Sequence, residues 1–132
     1  MICASICNQR LKEFHQVKYM IWNEFVDKLK RMSYDLERDD FFNEYVKAEI
    51  LYIDDLFKGK VTETDVNIAF QLINERYNVN LVTIVSSELL LKDLREIDEA
   101  VAGRLKEKAK NYCIQVAKDS SKNYRFKDEI VL

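Results

Sequence analysis

The chain has 132 residues, enough for one domain with a substantial core and too few for two ordinary ones. Its 48% hydrophobic and 33% charged content suits a folded globular protein, and 21 basic against 23 acidic side chains give no global attraction to nucleic acid or anionic lipid. No apolar run approaches the roughly 20 residues a membrane-spanning helix needs, so no membrane contact is expected.

Ile2, Cys3, Ile6, Cys7, Leu11 and Phe14 fall at helical spacing and predict an amphipathic helix over residues 2–15. Asn8, Gln9 and Arg10 interrupt its apolar run, unlike a secretory signal, so Cys3, Cys7 and Cys113 read as reduced thiols of a cytoplasmic protein. Cys3 and Cys7 stand one helical turn apart, a spacing that metal pairs use, but a structural site wants about four ligands and His15 is the only histidine. After a turn at His15 and Gln16, the run 17–22 predicts a strand, and Phe25, Val26 and Leu29 form the buried stripe of a helix over 23–32. Residues 33–40 are polar and charged, and Phe41, Phe42, Tyr45 and Val46 suggest a further helical turn or two.

Strand character returns over 49–53, followed by a loop over 56–61. Thr62 with Asp65 three positions on is a capping-box variant, and Val66, Ala69, Phe70, Ile73 and Tyr77 continue that helix. The β-branched run 81–85 predicts a buried parallel strand. Residues 88–94 and 98–110 read as helices divided at Ile97 and Asp98, residues 112–117 as a last strand, and the remainder as a polar tail interrupted by Tyr124, Arg125 and Phe126. With no repeat, low-complexity tract or proline, no interdomain linker is visible, and residues 1–132 read as a single unit, which the resemblance below makes part of a domain. Strands alternating with helices predict a three-layer α/β sandwich with a largely parallel sheet of four strands.

The chemistry concentrates where Ile50, Leu51, Tyr52 and Ile53 run into Asp54 and Asp55. Two carboxylates at the C-terminal edge of a parallel sheet are where nucleotide-binding folds hold a metal and orient a water, so the segment reads as a Walker B element. Asp54 would hold magnesium, usually through water, and Asp55 would orient or deprotonate the attacking water; the plainer reading is two acids that follow a strand and cap a helix. Ser86 and Ser87 follow the next strand and place a hydroxyl near the same edge, though a polar turn there is common. Arg104 is a lone guanidinium in an apolar helix start and suits a phosphate on a neighbouring subunit; otherwise it belongs to a solvated face with Glu107 and Lys108. Arg125, between two aromatics, is a second phosphate-reading candidate. Phe57, Lys58 and Lys60 join a ring to two cations, a pairing that stacks on a base and meets a phosphate, or they form an ordinary solvated loop. The loop G-x-x-x-x-G-K-[ST] that would cradle the phosphates does not occur in the sequence.

In this order, residues 22–25, 51–59, 83–88, 97–100, 103–104 and 123–125 resemble the AAA+ ATPase domain of bacterial replicative helicase loaders of the DnaC and DnaI type and the related IstB transposition helpers. The resemblance covers nearly the whole chain, and Asp54-Asp55-Leu56-Phe57-Lys58-Gly59 is its most specific part. It implies Asp54 and Asp55 as Walker B, Ser87 or Ser86 as sensor 1, Arg104 as arginine finger and Arg125 as a sensor 2 candidate. It further implies ATP and magnesium as cofactors, and a replicative helicase, single-stranded DNA and other AAA+ subunits as partners. In that family a strand and the Walker A loop precede the position matching Met1, and the strand lies between the sensor 1 strand and the final one. The expectation is therefore a sheet with two strand edges unpaired or paired with each other, and weak ATP binding by this chain alone. Two other readings stay open: a catalytically silent module that donates Arg104 in trans, and a truncated reading frame.

Overall fold

The computed structural model describes residues 2–13, 15–116 and the backbone of 128–131. Phe14, Tyr124, Arg125 and Phe126 lie outside the described residues.

Three parallel strands carry the architecture: β1 (Val17–Ile21), β2 (Ile50–Asp54) and β3 (Val82–Ser87), with Ile21 beside Asp54 and Ile53 beside Val85. Parallel neighbours need long crossovers, since the chain must return to the starting end of the sheet. Helices α2 (Trp22–Arg31) and α3 (Asp35–Val46) make the first return and α4 (Glu63–Asn78) the second. α1 (Ile2–Lys12) precedes the sheet, and α5 (Leu91–Ile97) and α6 (Glu99–Ala109) follow β3.

Side-chain alternation along the strands divides the helices into two layers. Leu51, Ile53 and Val85 pack among Trp22, Phe25, Leu29, Leu72 and Leu105, while Ile50, Tyr52 and Ile84 face the other way, under Cys3 and Cys7 of α1. The strands are apolar on both faces because both are covered. The stripe of α1 is narrower than its spacing predicts: Cys3 and Cys7 are buried, but Ile2 and Leu11 are exposed.

Local chemistry sets the helix starts. The Thr62 hydroxyl accepts from Asp65 N at 3.2 Å and the Asp65 carboxylate accepts from Thr62 N at 2.9 Å, the reciprocal bond pair that the spacing predicts. Lys30 donates to the same carboxylate at 2.6 Å. Burial would raise the Asp65 carboxyl, but Lys30 and the two Thr62 bonds outweigh it and hold it below the usual range. At the predicted division between the last two helices, Asp98 accepts from Val101 N at 2.8 Å and starts α6.

Arg76 is buried at 1% exposure near the end of α4. Its guanidinium donates to the carbonyls of Tyr45, Val46, Ala48 and Val82 at 2.7–2.9 Å, and to the Thr83 hydroxyl at 2.9 Å. It thereby ties the approach to β2 to the start of β3, at the sheet end opposite Asp54. Burial pushes the guanidinium down to about 10, which still leaves it protonated at neutral pH.

Three expectations are corrected. The helix foreseen around Phe41 begins at Asp35, because polar residues 35–40 supply its outer face and first turn. The last strand foreseen over 112–117 is described only as β4 (Cys113–Ile114). The sheet has five strands among the described residues, in the order β1-β2-β3-β5-β4, because β5 (Asp128–Val131) runs antiparallel between β3 and β4. The edges of β3 and β4 that were expected to lie open or to pair together are instead both paired to β5, whose backbone supplies their hydrogen bonds.

Candidate functional site

The C-terminal ends of β2 and β3 bring a compact polar group together. Asp54 closes β2, and its Oδ1 accepts from the Ser86 hydroxyl at 2.6 Å and from the Tyr52 hydroxyl at 3.3 Å. Its Oδ2 accepts from the Tyr19 hydroxyl at 2.6 Å. All four side chains share one sheet face because Tyr19 pairs with Tyr52 and Tyr52 with Ile84, each two residues from its neighbour in the group. The bond to Asp54 pushes the Tyr19 phenol up to about 12, since ionisation would set two anions side by side, and burial raises Tyr52 as well.

Asp55 begins the turn beyond β2. Its N–H donates to Ser86 Oγ at 3.2 Å, and Leu56 N–H donates to Ser86 O at 2.9 Å, so the turn is pinned to the end of β3. Asp55 and Phe57 adopt left-handed backbone at φ 59° and 58°, and Gly59 follows at 81°. Aspartate tolerates that region, whereas for phenylalanine it costs about 1–2 kcal/mol, offset here by burial of the ring.

The paired serines have separate jobs, as strand alternation requires. Ser86 meets Asp54. Ser87, the first of the two serines that the resemblance offered as sensor 1, is fully buried, donates to Leu56 O at 2.9 Å and accepts from Leu89 N at 3.1 Å. Its hydroxyl is committed to the turns, so the group beside the acid is that of Ser86.

Lys58 lies 3.9 Å from Asp55 Oδ2 and 3.7 Å from Glu88 Oε1, and so partly neutralises the acidic edge. Lys60 is exposed and borders a cleft of about 410 Å³ shared with Asn23, Lys30 and Lys58. Phe57 does not accompany the lysines outward. It is 2% exposed and meets Trp22 edge-on at 5.7 Å, so base stacking is closed to it in this fold.

Arg104 is not part of the acidic group. Its Nε donates to Asn74 Oδ1 at 2.7 Å, and its guanidinium lies over Phe70 and Tyr77 at 5.1 and 5.8 Å. Asn74 and Tyr77 occupy the half of α4 nearer Arg76 and Phe70 its middle, so Arg104 sits away from the start of that helix beside the acidic edge. Arg125 lies outside the described residues. Tyr19, Tyr52 and Glu88 are members of the site that sequence reasoning did not select; only the cross-strand register reveals the first two. The backbone register also sets Glu129 beside Ser86 and Asp128 beside Ser87.

The donors gathered at this edge, carboxylate and hydroxyl oxygens, are hard ligands that fit magnesium rather than a softer metal. No group of three or more His, Cys, Asp or Glu side chains with metal-site geometry occurs among the described residues, so the Cys3 and Cys7 pair gains no further ligands there. No helix among them is long and apolar enough to cross a membrane.

Parallel strands with two tandem acids and a facing hydroxyl at their C-terminal edge define a P-loop-NTPase-like α/β domain of the AAA+ class. The chain matches the bacterial DnaA ATPase domain over residues 2–112, and it belongs to that family of replication-related AAA+ ATPases. It is 32% identical over 88 residues to the uncharacterized protein YqaM of Bacillus subtilis (strain 168), an alignment covering 62% of this chain and 28% of YqaM. It is 35% identical over 77 residues to the phage-like element PBSX protein XkdC of the same organism, covering 54% of this chain and 29% of XkdC. The chain thus spans less than a third of the length of these relatives.

Proposed function

We propose that this chain serves a cytoplasmic AAA+ ATPase that delivers a replicative helicase onto single-stranded DNA, with ATP and magnesium engaged at the Asp54 edge. The observation that carries the reading is the 2.6 Å contact between Ser86 and Asp54, with Asp55 next in sequence, in a chain of the bacterial DnaA ATPase domain family. Magnesium, when bound, would neutralise phosphate charge as a phosphoryl group is transferred. Asp54 would orient that ion through water, Asp55 would hold and accept a proton from the attacking water, and Ser86 would take the sensor role expected of the serine pair. Lys58 and Lys60 remain the proposed contacts to DNA phosphates, without a stacking contribution from Phe57.

Calorimetric titration with magnesium-ATP, followed by ATPase assays with single-stranded DNA, tests this reading. This chain alone should bind weakly, as its sequence carries no Walker A loop; with a Walker A segment supplied, Asp54→Asn should weaken the metal-dependent part of binding, and Asp55→Asn should abolish turnover while leaving binding in place. Equal ATP binding and turnover by wild type and both variants would refute the assignment. Replacing Lys58 and Lys60 with Ala should weaken single-stranded DNA binding at low salt, and unchanged affinity would remove both from the interface.

A second reading is favoured by the placement of Arg104, which Asn74, Phe70 and Tyr77 hold well away from this chain's own acids. There the protein would join an AAA+ assembly and supply Arg104 to a neighbour's phosphate. Mixed with an intact loader, wild type should then accelerate ATP hydrolysis and Arg104→Ala should not, since such arginines contribute about a thousandfold or more. An IstB-like role in transposition would be recognised by the absence of any effect on helicase loading.

A further inference from the structure

We propose that Tyr19 is a positioning residue for Asp54: its hydroxyl, delivered across the β1–β2 pairing, fixes the carboxylate so that it meets a divalent cation through the cation's water shell rather than by direct ligation. The inference rests on the magnesium reading of the acidic edge and deepens it.

The geometry favours this role over a purely structural one. Tyr19 is 52% exposed, so its ring contributes little to the core. β1 carries it beside Tyr52, and the two rings lie 5.2 Å apart, which braces the phenol with its hydroxyl 2.6 Å from Asp54 Oδ2. The other oxygen of the carboxylate already accepts from Ser86 and Tyr52. A carboxylate offers about four lone-pair positions, and three hydroxyl donations withdraw most of them and lower the donor strength of the rest. Magnesium gives up its waters reluctantly, so a carboxylate in this state is suited to accept hydrogen bonds from coordinated water.

Manganese is the probe. The full chain, with and without ATP, is titrated with Mn²⁺ and followed by electron paramagnetic resonance, and water relaxivity reports how many waters the bound ion keeps. Tyr19→Phe preserves the ring and removes only the hydroxyl; Asp54→Asn and the double variant complete a cycle, with circular dichroism as the check on folding. We expect Tyr19→Phe to bind Mn²⁺ about tenfold more tightly, the scale of one hydrogen bond to a charged group. Relaxivity should fall as a carboxylate oxygen replaces a water, and the hydroxyl-dependent difference should vanish in the Asp54→Asn background. Asp54-dependent binding with the same affinity and relaxivity in Tyr19→Phe would overturn the proposal and leave the magnesium reading intact. Absence of any Asp54-dependent Mn²⁺ binding would refute the magnesium reading, and the inference with it.

Discussion

Replacing Arg76 with Met should remove a large fraction of the protein's stability, although the residue is far from the acidic edge. Methionine keeps most of the aliphatic volume but supplies no donor, so the carbonyls of Tyr45, Val46, Ala48 and Val82 and the Thr83 hydroxyl all lose their arginine partner. Nη1 has two hydrogens for three of these carbonyls, so four bonds at about 1.5 kcal/mol, the lower bound for a charged donor, give about 6 kcal/mol. Against this stands the cost of burying the guanidinium, on the order of 3 kcal/mol if its fall from 12.5 to about 10 is converted at about 1.4 kcal/mol per unit. The expected net loss is about 2–4 kcal/mol, a large part of the 5–15 kcal/mol that holds an ordinary domain together. Urea denaturation followed by circular dichroism at neutral pH would measure it. Arg76→Lys, with three donors on one point, should fall between the two. A midpoint for Arg76→Met within about 1 kcal/mol of wild type would show that these carbonyls find other partners and that the arginine is not what joins β2 to β3.

Thr62→Ala removes one arm of the capping box and should cost about 1 kcal/mol by the same assay. Asp65 supplies the other arm, and its folded carboxyl lies below the unfolded value, so its contribution is present above the unfolded pKa and is lost as pH falls through the folded one. Asp65→Asn should therefore lower stability at neutral pH and flatten its decline in acid; an unchanged acid limb would contradict this. Ser86→Ala removes a hydroxyl donation to Asp54 and should tighten Asp54-dependent cation binding, as Tyr19→Phe does, at some cost to the Asp55 turn it pins, whereas Ser87→Ala should leave cation binding unchanged and lower stability by about 1–3 kcal/mol through the bonds to Leu56 and Leu89 it leaves unmade; the reverse result would exchange the roles of the two serines. Phe57→Ala should destabilise by about 3–5 kcal/mol, and a stable variant that instead lost single-stranded DNA affinity would put the ring back at a nucleic-acid surface.

Features that depend on neighbours in sequence were legible in the chain. The β-branched run before Ser86, the acids ending the Ile50–Asp54 run, the Thr62 and Asp65 pair and the division at Asp98 all act over five residues or fewer. Features that depend on register were not. Tyr19 and Asp54 stand 35 positions apart and meet only because β1 and β2 pair as they do. Arg76 reads as an ordinary basic residue in the last turn of a helix, and nothing local marks it as buried. Phe57 was misjudged because Lys58 and Lys60 follow it, although a left-handed backbone turns its ring against Trp22. The roles of Ser86 and Ser87 were open to deduction, since adjacent strand residues face opposite sides. β5 escaped notice because four residues, two of them acidic, carry too little apolar pattern to signal a strand.

The alternating left-handed residues at 55, 57 and 59 make the acidic turn poorly transferable. Gly59 adopts its conformation without strain and Asp55 tolerates its own; Asp55 is further kept in place by a serine on another strand, and Phe57 by an indole on a helix. Grafted onto the strand end of a foreign scaffold, this peptide would carry its charges but relax into a commoner loop, and its carboxylates would point elsewhere. The shape of the edge is a property of the whole interior, borrowed by six residues that could not hold it by themselves.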